Sequence, residues 1–430
     1  MDALRIEGGR RLTGTLRVDG SKNAALPALA AALLADEPVT LRGMPMLEDT
    51  INMTRLLGEL GCTVDVDGTT VTIETTDPSR VHAPYEIVRT MRASICTLGP
   101  LLAARGEARV AMPGGCAIGD RPVDLHLRGL KALGATVTLE SGDMVLRADK
   151  LRGTTVFMGG PFGSTVLGTA NVLCAAVLAE GETIIESAAC EPEVAFVAKM
   201  LRAMGADISG EGTPRMHVHG VERLSGIDLE IMPDRIVAGT LAVAAAITNG
   251  DVTLERFPTD HLVAALDRLS EAGVHVQRKD ASEPPDACTV TITADRRLRP
   301  ILFTTQPHPG FPTDLQAQVM SLLCLADGNS IVTEKIYPDR FLHVPELTRM
   351  GAELIRQGST VVVQGVDELI GAPVMASDLR GSAALVLAGL TARGETLVRR
   401  IYHLDRGYLG LERQLASLGA AIERVDGGPT

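Results

Sequence analysis

A helix end of the form Leu-x-x-Leu-Gly-Ala, followed by the start of a β-branched strand, recurs six times, with small variations, along the 430 residues. The copies are LLGELGCTV (56–64), LKALGATV (130–137), LRAMGADI (201–208), LSEAGVHV (269–276), LTRMGAEL (347–354) and LASLGAAI (415–422). Their glycines, Gly61, Gly134, Gly205, Gly273, Gly351 and Gly419, are 73, 71, 68, 78 and 68 residues apart. Each suits the left-handed position that ends a helix. Before each copy an Ala/Leu-rich segment runs into an acidic or glycine turn and a short strand, as in AALLADEPVTL (31–41) and VLAEGETIIE (177–186). One unit therefore reads helix, strand, helix, strand, strand. At roughly 70 residues it is longer than the ~20–50 of solenoid repeats. Six such α/β units exceed one ordinary core and predict two domains of three units each.

The segment Leu4 to Val18 reads as a strand pair turning at Gly8-Gly9, and GSKN (20–23) leads into an Ala/Leu helix over 24–35. With no Trp, seven Phe and four Tyr, the cores must be aliphatic. A net charge of −12 argues against broad nucleic-acid binding, which wants a basic surface, but leaves room for a local arginine cluster on a small anion. The N-terminus lacks the basic and apolar regions of a signal peptide, and no apolar run reaches the ~18 residues of a membrane span. Seven cysteines, an odd number without metal-ligand spacing, fit a reduced, cytoplasmic chain better than a disulfide framework. Cys96, Cys174 and Cys324 lie in apolar runs and are expected to be buried.

Residues 112–126 read MPGGCAIGDRPVDLH. A strand enters a Pro-Gly-Gly turn with Cys116 at its tip, and a helix follows, with Asp120 as a cap, Pro122 in the first turn and an apolar stripe of Leu125, Leu127, Leu130 and Leu133. One reading is a plain turn with an inert cysteine. The other is a reactive thiol beside Arg121 and a helix end that attracts anions. Seven basic residues fall at element ends: Lys22, Arg92, Arg121, Arg235, Arg340, Arg380 and Arg406. Four of them, Arg121, Arg235, Arg340 and Arg406, directly follow an Asp. Each is either a surface arginine paired with its neighbour or part of a clamp for phosphate or carboxylate. Asp314, in FPTDLQAQ, stands at a helix start as a first-turn acid or as a general base toward a hydroxyl.

Taken together, GSKNAALPALAAALLA, TMRAS, PGGCAIGDRPVDLH, EPEV, PDRIVAGT, HPGFPTDLQAQ, DRFLHVPELTRMGA, DLRGSAALVLAG and IYHLDRGY resemble the UDP-N-acetylglucosamine 1-carboxyvinyltransferase family of enolpyruvyl transferases. The resemblance spans about residues 4 to 425. It implies an α/β fold of two inside-out α/β barrel domains, each made of three βαβαββ units. One domain would hold 1–21 and 234–430 and the other 22–233, with the active site in the cleft between them. The implied reaction moves the enolpyruvyl group of phosphoenolpyruvate to the 3′-hydroxyl of UDP-N-acetylglucosamine, with no cofactor, no metal and no obligate protein partner. By motif matching, Cys116, Asp314, Lys22 and Arg406 carry the chemistry. Lys22, Asn23, Arg92, Arg121, Arg340, Arg380 and Arg406 resemble the phosphoenolpyruvate contacts. Asn23, Arg92, Arg121, Pro122, Val123, Asp124, Leu125, Asp314 and Ile336 resemble the UDP-sugar contacts. The family's short Ser-Val-Gly-Ala-Thr segment is replaced by MGGPFGSTVLGT (158–169), where Ser164, Thr165 and Gly168 stand as substitutes for its diphosphate contacts.

The residues leave two rival readings open. One is the shikimate-pathway enolpyruvyl transferase, with the same fold and another acceptor. The other is a UDP-sugar sensor without turnover, against which the retained thiol, aspartate and arginines count. The resemblance predicts that the epoxide fosfomycin alkylates Cys116 and stops turnover. Mass spectrometry after incubation with the UDP-sugar checks this, and an unmodified Cys116 would rule it out.

Overall fold

The computed structural model describes residues 2–112, 123–295 and 297–426. They fall into two compact units, 2–19 with 233–426 and 20–112 with 123–232. Each unit has its own aliphatic core.

All six units of the repeat build the same four-stranded sheet. The first two strands run parallel, the last two are antiparallel, and the spatial order is first, second, fourth, third. Leu302–Thr304, Asn329–Thr333, Glu353–Gln357 and Thr360–Gln364 form one such sheet from a continuous stretch of chain. Three sheets need a strand from far away, one of them Thr13–Arg17 beside Asp251–Phe257. Ile227–Glu230 pairs in parallel with Val39–Arg42, and Asp2–Glu7 fills the fourth place beside Glu395–Arg399 and Ala421–Asp426. The six repeat glycines all have positive φ, between 80° and 111°, so each ends its helix in the left-handed region that an L side chain avoids.

The expected hairpin at the N-terminus does not form. Asp2–Glu7 lies inside its sheet with both edges occupied, so it has no edge left for Thr13–Arg17. That second strand pairs instead with Asp251–Phe257 in another sheet. Gly8 and Gly9 are the crossing point rather than a turn. Gly9 N–H donates to the Leu390 carbonyl at 2.9 Å, and a β-carbon on Gly8 would sink into the carbonyl of Ala392.

Three helices form the centre of each unit, and the sheets lie outside them. In the first unit they are Arg235–Ile247, Gln316–Leu323 and Leu379–Thr391, buried almost throughout. In the second they are Lys22–Ala31, Leu98–Arg105 and Val166–Ala176. Apolar residues on every side of a helix leave it no solvent face, so it must be enclosed. Small residues let these helices approach closely: a β-carbon on Gly99 would strike the backbone of Asn171, and one on Gly239 would lie 2.6 Å from Leu315. The helix expected around Asp120–Pro122 is described from Asp124, as Asp124–Ala132, with Leu130 and Leu133 buried and Leu125 and Leu127 half-buried. Cys96, Cys174 and Cys324 are buried, free thiols.

Substituting Gly8 by Ala forces the crossing segment off the Ala392 carbonyl. We expect a loss of about 1–3 kcal/mol, read as a lower urea midpoint at an unchanged slope.

Candidate active site

The N-termini of the enclosed helices carry most of the candidate residues. In the first unit, the chain enters Gln316–Leu323 through a short 3₁₀ turn, Thr313–Leu315, which presents Asp314. Arg340 Nη1 donates to Asp314 Oδ1 at 2.7 Å. Arg380, in the first turn of Leu379–Thr391, donates to Oδ2 from Nη2 at 2.9 Å and from Nε at 3.1 Å. The two arginine side chains are 6% and 3% exposed, while Asp314 keeps 27% of its side chain open. The carboxylate is therefore the most open of the three groups, with the two guanidiniums packed against it. Burial alone would push the Asp314 carboxyl up; the guanidiniums of Arg380 and Arg340 overcome it and hold the group well below the usual carboxylate range. Neither arginine is a surface residue paired with its sequence neighbour. Asp339 pairs with Arg356 at 2.8 Å, leaving Arg340 to Asp314.

Sequence reasoning missed the acid beneath this turn. Glu334, fully buried, accepts from the hydroxyls of Thr305 and Thr313 at 2.7 and 2.9 Å, and from the backbone N–H groups of Ile336 and Tyr337 at 2.7 and 2.9 Å. One carboxylate thus holds the segment of Ile336 against the turn of Asp314. Asp378 and Asp234 cap the other two helices, each accepting from two backbone N–H groups. Arg235 is buried, and Arg406 follows the short helix Tyr402–Asp405, partly exposed.

In the second unit, Ser21 caps Lys22–Ala31, and the buried Lys22 ammonium donates to Asp49 at 3.0 Å. Asp49, on Glu48–Glu59, is a second acid that the sequence did not single out. Asn23 and Arg92 are partly exposed; Arg92 opens a 3₁₀ segment, Arg92–Thr97, packed against Lys22–Ala31 and Val166–Ala176. A buried amide ties this region together. Asn171 accepts from Gly99 N–H at 2.7 Å and donates from Nδ2 to the Ile95 carbonyl at 2.7 Å and to His126 Nδ1 at 2.9 Å. His126 is then the neutral imidazole with its proton on Nε2. Burial first, and Arg92 second, bring it down to about 4 against the opposing pull of Asp124.

Thr165 caps Val166–Ala176, its hydroxyl accepting from Gly168 N–H at 3.3 Å. Ser164 precedes it in the small hairpin of Gly159–Gly160 and Gly163–Ser164. Arg128 donates to the Gly159 carbonyl at 3.1 Å, and Leu125 packs against Gly160. The extra residues of 158–169 thus form a hairpin seated on the helix that begins at Asp124. Val123 stands at the start of that helix, with Asp124 its first residue. Cys116, Arg121 and Pro122 lie outside the described residues.

The His126 arrangement gives a pH dependence with a defined sign. Its folded pKa of about 4 lies below the ordinary 6.5, so in that window the unfolded chain takes up a proton that the folded chain refuses. The contribution is complete above about 6.5 and falls by about 3 kcal/mol as the pH drops to about 4. Urea unfolding of the wild type and of His126→Gln across this range checks it: the wild type should lose that much more stability than the variant.

The sequence pattern of the EPSP synthase (3-phosphoshikimate 1-carboxyvinyltransferase) family matches residues 6–415. A protein of Nitratidesulfovibrio vulgaris strain Hildenborough, named UDP-N-acetylglucosamine 1-carboxyvinyltransferase, is 54% identical over 99% of both chains. One of the same name from Lawsonia intracellularis is 50% identical over 99% of this chain and 100% of its own. Among solved structures, the enolpyruvyl transferase NikO from Streptomyces tendae superposes with a TM-score of 0.88 at 26% identity, covering 99% of each chain. An EPSP synthase from Acinetobacter baumannii superposes at 0.79 and 20% identity over 99% of this chain and 100% of its own, a likeness of fold. With relatives this similar over their full length, the chain belongs to the UDP-N-acetylglucosamine 1-carboxyvinyltransferase family of enolpyruvyl transferases.

Proposed function

We propose that this chain transfers the enolpyruvyl group of phosphoenolpyruvate to the 3′-hydroxyl of UDP-N-acetylglucosamine and releases phosphate, the first committed step of peptidoglycan precursor synthesis. The observation that carries the reading is the full-length identity of 50–54% to relatives named for this activity. No described helix is long and apolar enough to cross a membrane, and we place the reaction in the cytoplasm.

The chemistry asks for three things. A proton must reach the vinyl carbon, a proton must leave the sugar hydroxyl, and cations must hold the phosphate and the carboxylate of phosphoenolpyruvate. Asp314 takes the hydroxyl proton, as its open, ionised carboxylate suits it to do. The Cys116 thiol delivers the proton to the vinyl carbon. Attack of the hydroxyl oxygen on the adjacent carbon gives a tetrahedral ketal. Return of a proton from the new methyl group to the Cys116 thiolate, with departure of phosphate, restores the double bond and the thiol. Lys22, Asn23, Arg92, Arg121, Arg340, Arg380 and Arg406 supply the charge-assisted bonds to phosphoenolpyruvate, each contributing about 1.5–3 kcal/mol when made by a cation. Asn23, Arg92, Arg121 to Leu125, Asp314 and Ile336 orient the UDP-sugar, with Ser164, Thr165 and Gly168 at its diphosphate. The helix start capped by Thr165 is suited to that anion. Residues 1–21 with 234–430, and 22–233, act as the two halves of the enzyme.

Phosphate release from phosphoenolpyruvate tests the reading. It should require UDP-N-acetylglucosamine, fail with shikimate 3-phosphate as acceptor, and fall by at least about a hundredfold in Asp314→Ala, the range of general-base loss. UDP-sugar binding without phosphate release would replace it by the sensor. Release driven by shikimate 3-phosphate would replace the acceptor.

A further inference from the structure

Beneath Asp314, one aromatic side chain touches all three enclosed helices of the first unit. Tyr408 is buried, 2% exposed, and lies two residues beyond Arg406. Its hydroxyl is 3.0 Å from Thr240 Oγ1 on Arg235–Ile247. The Thr240 proton is already given to the Ile236 carbonyl at 2.7 Å, so in this contact Tyr408 is the donor. The same hydroxyl accepts from Gln318 Nε2 on Gln316–Leu323 at 3.1 Å. That amide nitrogen also donates to the backbone carbonyl of Asp314 at 2.8 Å. On the third helix, the Arg380 guanidinium carbon lies 5.4 Å from the centroid of the Tyr408 ring.

Arg380 depends on this contact. Its Nε and Nη2 are committed to Asp314, and its buried Nη1 has no hydrogen-bond partner among the described residues. The aromatic face steadies the guanidinium from a side where no bond holds it. The ring is in turn fixed at its far end by Thr240 and Gln318.

We propose that Tyr408 is a positioning residue for catalysis: its hydroxyl locks two helices and its ring sets Arg380 on Asp314, so the carboxylate is aimed at the acceptor hydroxyl. This rests on the reading of Asp314 as the group that meets that hydroxyl. Tyr408 itself touches no substrate. Its contribution is the geometry of the pair above it, and small misplacements of reacting groups are costly in rate.

The test is Tyr408→Phe, which keeps the ring and removes one oxygen. The expected result is a fall in kcat of about tenfold with both KM values within about twofold, the pattern of a lost transition-state arrangement rather than lost binding. In the free enzyme, the Arg380 Nε–H resonance should exchange faster with water by about tenfold, by the loosening of a single bonded group. The Arg340 side-chain resonances, held on the other oxygen of Asp314, should be unchanged. A folded variant with wild-type kcat and unchanged Arg380 exchange would overturn the proposal. So would a lower melting temperature with neither change, because that is a purely structural tyrosine. If the variant folds poorly, Thr240→Val removes the acceptor of the same hydroxyl and is read in the same two ways. The exchange measurement needs no substrate. Should the wild type fail to release phosphate, the reaction assignment falls, while Arg380 exchange still decides the role of Tyr408.

Discussion

A helix that is apolar on every side has no face to give to water. Each unit of this protein is organised around three such helices, and most of its other features follow from enclosing them. Sheets must surround the helices, so a unit needs three sheets and hence three copies of the repeat. Closing the last sheet needs a strand from the other end of the segment, which is how Asp2–Glu7 and Ile227–Glu230 come to complete sheets so distant in sequence. The sides of the helices are sealed by packing, and polar chemistry is left to their ends. There the unpaired N–H groups favour anions and accept capping acids such as Asp234 and Asp378.

The same confinement explains why the charges at these ends come in tied groups. Arg340 and Arg380 are almost fully enclosed, and a buried cation without a partner costs several kcal/mol. Asp314 is that partner for both. Glu334 does the equivalent for two threonine hydroxyls and two backbone N–H groups, taking up all four donors with one carboxylate. In the second unit Asn171 satisfies two backbone groups and the imidazole of His126 with one amide. Both units thus place a polar tie one layer below the residues assigned to substrate. The working groups rest on a satisfied layer, which limits how far they can wander.

The repeat was legible because it is written in a backbone requirement. A glycine with positive φ has few substitutes, so six helix ends declare themselves at regular spacing. The enclosed helices were legible from their unbroken Ala/Leu composition, and Asp314 from its place at a helix start. Strand pairing was not. A strand's alternation names the face it buries but not its neighbour, so from adjacency alone Leu4 to Val18 reads as a hairpin. The partners of the arginines were hidden for the same reason. Asp339 precedes Arg340 in sequence, yet Arg340 turns inward to Asp314 and Asp339 turns outward to Arg356. Asn171 and Gln318 gave a faint signal, a lone amide in an apolar run, and what each amide binds depends on helices far away in the chain. Tyr408 gave none, because a tyrosine beside apolar residues is ordinary core by composition.

The double clamp on Asp314 also bears on how the reaction can proceed. Two guanidiniums keep the group ionised, which is the state that can accept a proton, but they make it a poor base toward a resting alcohol. A full transfer before attack would be far uphill. The balance changes as the hydroxyl oxygen bonds to carbon, since that oxygen becomes positively charged and its proton strongly acidic. Under the proposed reaction the carboxylate therefore orients the hydroxyl first and takes its proton late, as the new bond forms. The arginines then have two effects that oppose each other in basicity and agree in geometry: they weaken the base and they fix its direction. Such a site gains more from accurate placement of the carboxylate than from a higher pKa. This is why a residue that touches no substrate, but holds Arg380 in place, can matter to the rate.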